Sequence, residues 1–254
     1  MIEFQNVSVA FGDKTVLKDI SFTAPKHQLT VILGRNGAGK TTLANCLLRQ
    51  QKYSGNILLN GCNVQAQTVG SLAKQISLLP QLHPCPNITV RELIAFGRSP
   101  YLGIRRHLSE QDITAIEDAM VQTNCTSIQD RYLPTLSGGE RQRAFLAMIL
   151  AQQTDIIVLD EPTTYMDAVA ESAFLDLLKS FTTHNKTVIL IMHNLAHAVK
   201  FADHLVILDA SVCRFSGTLE ACLENHLIEK TFGVHRLDAD YHGEKEIFFC
   251  ADSK

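Results

Sequence analysis

Residues 34–42, Gly34-Arg35-Asn36-Gly37-Ala38-Gly39-Lys40-Thr41-Thr42, fit the spacing G-x-x-x-x-G-K-[ST]. Glycines at these positions let backbone N–H groups turn inward on phosphate oxygens, and a following helix adds the positive end of its dipole. Lys40 would then reach the β- and γ-phosphates of a nucleotide, and the Thr41 hydroxyl would bind Mg²⁺. A dinucleotide fingerprint fails here, because Gly37-x-Gly39 is followed by Thr42 where a third glycine is needed. Further on, Ile156-Ile157-Val158-Leu159-Asp160-Glu161 ends an aliphatic run in two carboxylates. Asp160 suits a Mg²⁺ role and Glu161 could polarise a water. Alone, such a strand end is as often an ordinary one; beside a phosphate loop it reads as chemistry. In Leu136-Ser137-Gly138-Gly139-Glu140, Ser137 is a natural N-cap and the two glycines allow an anion to approach closely. On physics alone a plain capped helix start is the favoured reading of that segment.

These residues need elements to hold them. Residues 2–11 alternate as a strand and lead into a Gly12-Asp13 turn; 20–23 read as the antiparallel partner. Residues 29–33 are continuously aliphatic, as in a strand buried on both faces, and run directly into the glycine-rich loop and a helix over 40–49. Short strands follow at 57–59 and 76–79. From about 89 to 153 helical patterns dominate. Ser109 with Asp112 resembles a capping box, with Ile113, Ile116 and Met120 on one face, and a second helix starts after Ser137. Alternation then resumes: strand 156–159, helix 168–181, strand 188–192, helix 195–201, strand 205–208. Beyond 218 two short helices and a strand at 246–250 are expected, with no function assigned to them. The pattern is an α/β core with a parallel sheet, interrupted by a mostly helical insertion.

Composition bounds the function. The chain has 254 residues and 23 Lys+Arg against 26 Asp+Glu, a formal net charge of −3. That balance lacks the basic footprint of a nucleic-acid binder, so no nucleic-acid partner is expected. No run approaches the ~18 apolar residues of a spanning helix, and the start shows no secretory signal. The seven cysteines are widely spaced, odd in number and without a C-x-x-C pair, which predicts reduced thiols rather than a zinc site or disulfide frame.

The order of motifs, glycine-rich loop, Leu-Ser-Gly-Gly-Glu, then Leu-Asp-Glu, resembles the nucleotide-binding subunit of ATP-binding cassette (ABC) transporters over nearly the whole chain. The resemblance implies a P-loop ATPase core of mostly parallel sheet with flanking helices, an antiparallel β subdomain and a helical subdomain inserted at about 88–153. It implies ATP and Mg²⁺ as cofactors, and a second copy of the chain closing face to face on two ATPs. Ser137, Gly138 and Gly139 of one copy would meet the γ-phosphate held by the loop of the other. By the same resemblance Phe11 stacks on adenine, Gln81 contacts Mg²⁺ and senses the membrane partner, His193 is the switch histidine at the γ-phosphate, and Asp167 lies in the loop crossing the dimer interface. Without the family, Phe11 reads as an ordinary strand residue and His193 as a core histidine. The metal set is then Thr41, Gln81 and Asp160. The catalytic set is Glu161, His193, Gln81 and Lys40, and Gly34, Asn36, Gly37, Ala38, Gly39 and Thr42 complete the nucleotide cradle.

Departures from the commonest family pattern are few. Arg35 stands where Pro or a small residue is frequent, Thr41 replaces Ser, Asn194 follows His193 where Asp is common, and Tyr165-Met166 precede Asp167. Val90-x-Glu92-Leu93 through Gly97-Arg98-Ser99-Pro100-Tyr101, and Pro162-Thr163-Thr164-Tyr165-Met166-Asp167, resemble segments of the iron-chelate importers, which carry ferric siderophores, haem or vitamin B12. That subgroup implies a separate polytopic permease, an extracytoplasmic substrate-binding protein, a peripheral place on the cytoplasmic face of the inner membrane, and residues 97–101 in the groove that receives the permease. Other branches of the same family stay open: a non-transport ATPase of DNA repair or the ribosome, or the ATPase of an exporter or of an importer of another substrate.

Overall fold

The computed structural model describes residues 1–82, 84–102, 107–164, 166–241 and 244–251. The chain divides into two compact units, Met1–Gln67 with Thr187–Lys254, and Thr68–Lys186.

The first unit opens with strands β1 (Ile2–Phe11) and β2 (Lys14–Ala24), a hairpin in which Ile2 faces Ala24 and Phe11 faces Lys14. Alternation buries Ile2, Phe4, Val7 and Val9, and Phe4 stacks on Phe22 with ring centroids 4.4 Å apart. The partner strand is much longer than the expected 20–23, because its polar first half is paired through backbone bonds that hydropathy does not register. β3 (Leu29–Gly34) is buried at every residue and leads to α1 (Lys40–Leu47). β4 (Ser54–Leu59) and the short β5 (Cys62–Asn63) extend the antiparallel sheet in the order β2-β1-β4-β5.

The second unit carries α2 (Val69–Ala73), β6 (Ile76–Leu79), α3 (Val90–Phe96), α4 (Glu110–Gln122), α5 (Gly138–Ala151), β7 (Ile156–Asp160) and α6 (Ala168–Thr183). β6 and β7 pair in parallel, Ile76 beside Ile156 through Leu79 beside Leu159. α3, α4 and α5 each begin with a full capping box, Thr89/Glu92, Ser109/Asp112 and Ser137/Glu140. Such reciprocal caps satisfy helix-start N–H groups that would otherwise lack partners. On α4 the buried face is Asp112, Ala115, Ile116, Ala119 and Met120. Ile113 is 39% exposed and falls off the expected stripe; the buried Asp112 takes that side, held by an ion pair that hydropathy cannot reveal.

The chain returns to the first unit as β8 (Thr187–Met192), α7 (Leu195–Phe201), β9 (His204–Asp209), β10 (Val212–Thr218), α8 (Leu219–Glu224), α9 (Leu227–Phe232), β11 (Val234–Tyr241) and β12 (Glu244–Ala251). β3 lies between β8 and β9, parallel to both, and β10 is antiparallel to β9. The sequence shows no sign of β10 or β11. The turn into β10 is Ala210-Ser211 with both φ positive, 45° and 69°, a hairpin geometry whose usual marker is Asn-Gly. Among the described residues β11 and β12 pair only with each other, in a two-stranded sheet. Among the described residues no helix is long and apolar enough to cross a membrane.

Candidate functional site

In the first unit the phosphate loop begins where β3 ends. A Cβ on Gly34 would sit 2.6 Å from the Leu208 carbonyl oxygen, so the parallel neighbour β9 demands glycine there. The Ala38 N–H closes a turn on the Arg35 carbonyl at 3.1 Å, and Gly37 and Gly39 adopt φ 82° and 94°, values that cost an L-side chain dearly. Gly39 starts α1, which has no side-chain cap; its first-turn N–H groups are therefore those that suit an anion. Lys40 is 6% exposed. Its Nζ donates across the loop to the Gly34 carbonyl at 2.8 Å and the Arg35 carbonyl at 3.4 Å. Arg35 and Asn36 are exposed. Ala38 is buried, Thr41 is exposed and Thr42 half-buried.

Leu33 of β3 pairs Met192 of β8, so Gly34 and His193 leave the sheet at the same carboxyl edge, where parallel sheets hold ligands. His193 is exposed there. The next residue, Asn194, accepts the His197 N–H at 3.1 Å and caps α7. Asn and Asp are nearly equivalent caps, which accounts for Asn194 at that position. Asn194→Ala is expected to cost about 1 kcal/mol and Asn194→Asp almost nothing, as read by denaturant unfolding. An Ala variant as stable as the parent would refute the capping role. Phe11, at the end of β1, is 53% exposed, so its ring is not part of the core.

In the second unit Leu79 pairs Leu159, so Pro80-Gln81 and Asp160-Glu161 also leave a shared carboxyl edge. Asp160 is 2% exposed. Glu161 is held at φ 47°, a left-handed conformation that residues other than glycine seldom adopt and that tends to occur at functional positions. Its Oε2 accepts the Gln81 Nε2–H at 3.0 Å, and its carbonyl accepts the Thr164 hydroxyl at 2.9 Å.

Two further positions sit at helix starts in the same unit. Ser137 Oγ accepts the Glu140 N–H at 3.2 Å, and the Ser137 N–H reaches Glu140 Oε2 at 2.8 Å. The Ser137 N–H above all, with Arg131 assisting, holds the Glu140 carboxyl below its usual range. Ser137 is exposed and Gly138 and Gly139 half-buried; the Ser137 hydroxyl keeps its proton to donate. Asp167 Oδ1 accepts the Ala170 N–H at 2.8 Å and caps α6. Tyr165 lies outside the described residues.

Thr41 in the first unit carries a hydroxyl oxygen, and Gln81 and Asp160 in the second carry an amide and a carboxylate oxygen, each taken by itself a hard donor of the type that suits Mg²⁺. Residues 97–101 contribute Ser99 to a groove and turn other side chains inward. An apolar groove of about 360 Å³ is lined by Ile88, Ala95, Phe96, Ser99, Leu102 and Leu108 together with Glu92. Gly97, Arg98 and Tyr101 do not line it; they face α5 instead. A Cβ on Gly97 would lie 2.0 Å from the Met148 carbonyl oxygen.

The protein-family profile for ABC transporters matches residues 17–164. The petrobactin import ATP-binding protein YclP of Bacillus subtilis (strain 168) is 37% identical over 237 residues, covering 92% of this chain and 93% of that protein. The probable siderophore transport system ATP-binding protein YusV of the same organism is 36% identical over 237 residues, covering 92% and 86%. A solved structure of an inward-facing ABC transporter superposes with TM-score 0.87 at 24% identity, covering all of this chain and 98% of the other.

Proposed function

The chain belongs to the ABC transporter family, and on that ground we propose that it is the ATP-hydrolysing subunit that powers import of an iron chelate, a ferric siderophore, through a separate membrane permease. The observation that carries this reading is the identity of 36–37% along more than nine-tenths of the chain to siderophore-import ATP-binding proteins. The phosphate loop and the Gln81–Glu161 pair supply the chemistry.

The loop N–H groups, Lys40, Thr41 and Thr42 bind the phosphates of ATP, and Phe11 stacks on the base. Thr41, Gln81 and Asp160 hold Mg²⁺, which when bound neutralises charge on the phosphate oxygens. Glu161 accepts the proton of the attacking water. The Gln81 N–H on Glu161 Oε2 steadies the carboxylate for that task. His193 steadies the γ-phosphate. Little of this is covalent: positioned donors stabilise charge that builds on the transferring phosphoryl group. A second copy of the chain brings Ser137, Gly138 and Gly139 to the same phosphate, and Asp167 to the interface between copies. ATP closes the pair and hydrolysis opens it, a two-state element that drives the permease. The permease docks in the groove that exposes Phe96 and Leu108, with the subunit peripheral on the cytoplasmic face and an extracytoplasmic protein delivering the chelate.

Affinity purification from membranes tests this. Recovery of a polytopic permease, with uptake of a radioiron-loaded siderophore that stops when the ATPase is blocked, is the expected result. A chain that binds no membrane protein and whose ATPase responds to DNA or ribosomes would overturn the proposal.

A further inference from the structure

The segment 97–101 has two faces, and the inward one meets the carboxyl end of α5. Gly97 packs on the backbone at Met148 with no room for a side chain. Arg98 is 4% exposed. Its Nε donates to Asp112 Oδ1 at 2.7 Å, and its Nη1 donates to the Ala151 carbonyl at 2.7 Å and to Gln153 Oε1 at 3.1 Å. Its guanidinium lies 4.1 Å from the centre of the Tyr101 ring, whose hydroxyl donates to the Gln152 carbonyl at 2.9 Å. Asp112 is itself pinned by the Ser109 N–H and hydroxyl. These Ser109 hydrogen bonds first, and Arg98 after them, bring its carboxyl down to about 2. One planar cation thus joins the start of α4, the groove segment and the last carbonyl of α5, where a positive charge also complements the helix dipole.

We propose that Arg98 is the positioning residue that couples permease movement to ATP turnover, by making the groove segment and α5 move as one body. The proposal rests on the importer reading above. α5 is a continuous helix of 14 residues, about 21 Å long, with Ser137 at one end and the Arg98 contacts at the other. A displacement of Ala95, Phe96 or Ser99 by the permease pulls Arg98, which is bonded to the α5 terminus, and a rigid helix carries that shift to Ser137. A second path runs through Gln152, whose Nε2 donates to the Ala73 and Ile76 carbonyls at 2.6 and 3.2 Å, at the start of the strand that leads to Gln81. A close-packed buried ion pair held by hydrogen bonds from both Nε and Nη1 of Arg98 is costly to break, so the link transmits movement instead of absorbing it.

Arg98→Lys keeps the buried charge but cannot reach Asp112, Ala151 and the Tyr101 ring together. The test compares ATP hydrolysis by the isolated chain with radioiron-siderophore uptake per ATP by the complex with its permease in liposomes. For Arg98→Lys the isolated chain is expected to keep kcat and KM for ATP within about twofold, while uptake per ATP falls about tenfold. Unchanged uptake per ATP overturns the proposal. So does a kcat of the isolated chain that falls in step with uptake, since that is a merely structural effect. If Arg98→Lys does not fold, Tyr101→Phe decides in the same way; it removes only the bond to the Gln152 carbonyl and is expected to lower uptake per ATP about threefold. A parent complex that hydrolyses ATP yet imports no siderophore would fell the importer reading itself, an outcome distinct from a coupled Arg98→Lys.

Discussion

Glu161→Gln lowers kcat for ATP hydrolysis by ~10²–10⁴-fold, the range of a lost general base, and leaves ATP affinity close to that of the parent. The substitution is nearly isosteric. The Gln81 Nε2–H that now reaches Glu161 Oε2 at 3.0 Å finds an amide oxygen in its place, so the pair keeps its geometry and only the proton acceptor is lost. The positive φ of 47° at this residue is unaffected, because Gln and Glu tolerate it equally. Single-turnover hydrolysis and nucleotide titration separate the two quantities. Since the phosphates are held but not cleaved, ATP should also accumulate a closed dimer, visible as a doubled mass in light scattering. A Gln variant that turns over ATP at the parental rate would show that another group takes the proton.

Lys40→Ala acts on binding instead. The ammonium, 6% exposed and 2.8 Å from the Gly34 carbonyl, is already oriented across the loop, so little reorganisation is needed when phosphate oxygens arrive. Charge-assisted hydrogen bonds contribute about 1.5–3 kcal/mol each. Loss of two of them raises the Kd for MgATP by roughly 10²–10⁴. Thermal unfolding reads this directly. A ligand at a hundred times its Kd stabilises by about 2.7 kcal/mol, and at the same concentration the variant should retain less than about 0.5 kcal/mol of that. The unliganded variant should unfold near the parental temperature. A nucleotide-induced shift as large as the parent's would remove Lys40 from the phosphate site.

Lys40 is found by spacing alone, whereas Glu161 ends an aliphatic run that reads as chemistry only beside the phosphate loop, and there is a physical reason why spacing suffices for the first. A phosphate cradle is a local backbone conformation. Gly37 and Gly39 must take positive φ, Lys40 must follow at once, and a helix must begin there; all of it is encoded within nine consecutive residues. The same holds for the caps at Ser109 and Ser137 and for the fully aliphatic strands β3, β7 and β8, whose burial on both faces is written into each short run. Where the pattern misled, the deciding contact came from far along the chain. Ile113 looked like a core residue until Arg98 claimed Asp112 for the buried face. β10 was invisible because its turn reaches positive φ with Ala210 and Ser211. Likewise no local signal says which of residues 97–101 turn inward: the backbone at Met148 takes Gly97 and the end of α5 takes Arg98 and Tyr101.

By itself, then, the sequence determined the chemistry: a phosphate loop, an acidic strand end, and a family order of motifs that names the nucleotide. It determined the class of elements as well, since periodicity and caps are local. Only the tertiary structure decided which side chains share an edge or a clamp. Leu33 beside Met192 brings His193 out with Gly34, Leu79 beside Leu159 brings Gln81 to Glu161, and one buried guanidinium ties residues that lie up to 55 positions apart. Such pairings rest on strand register and close packing between distant segments, which no window of neighbouring residues contains.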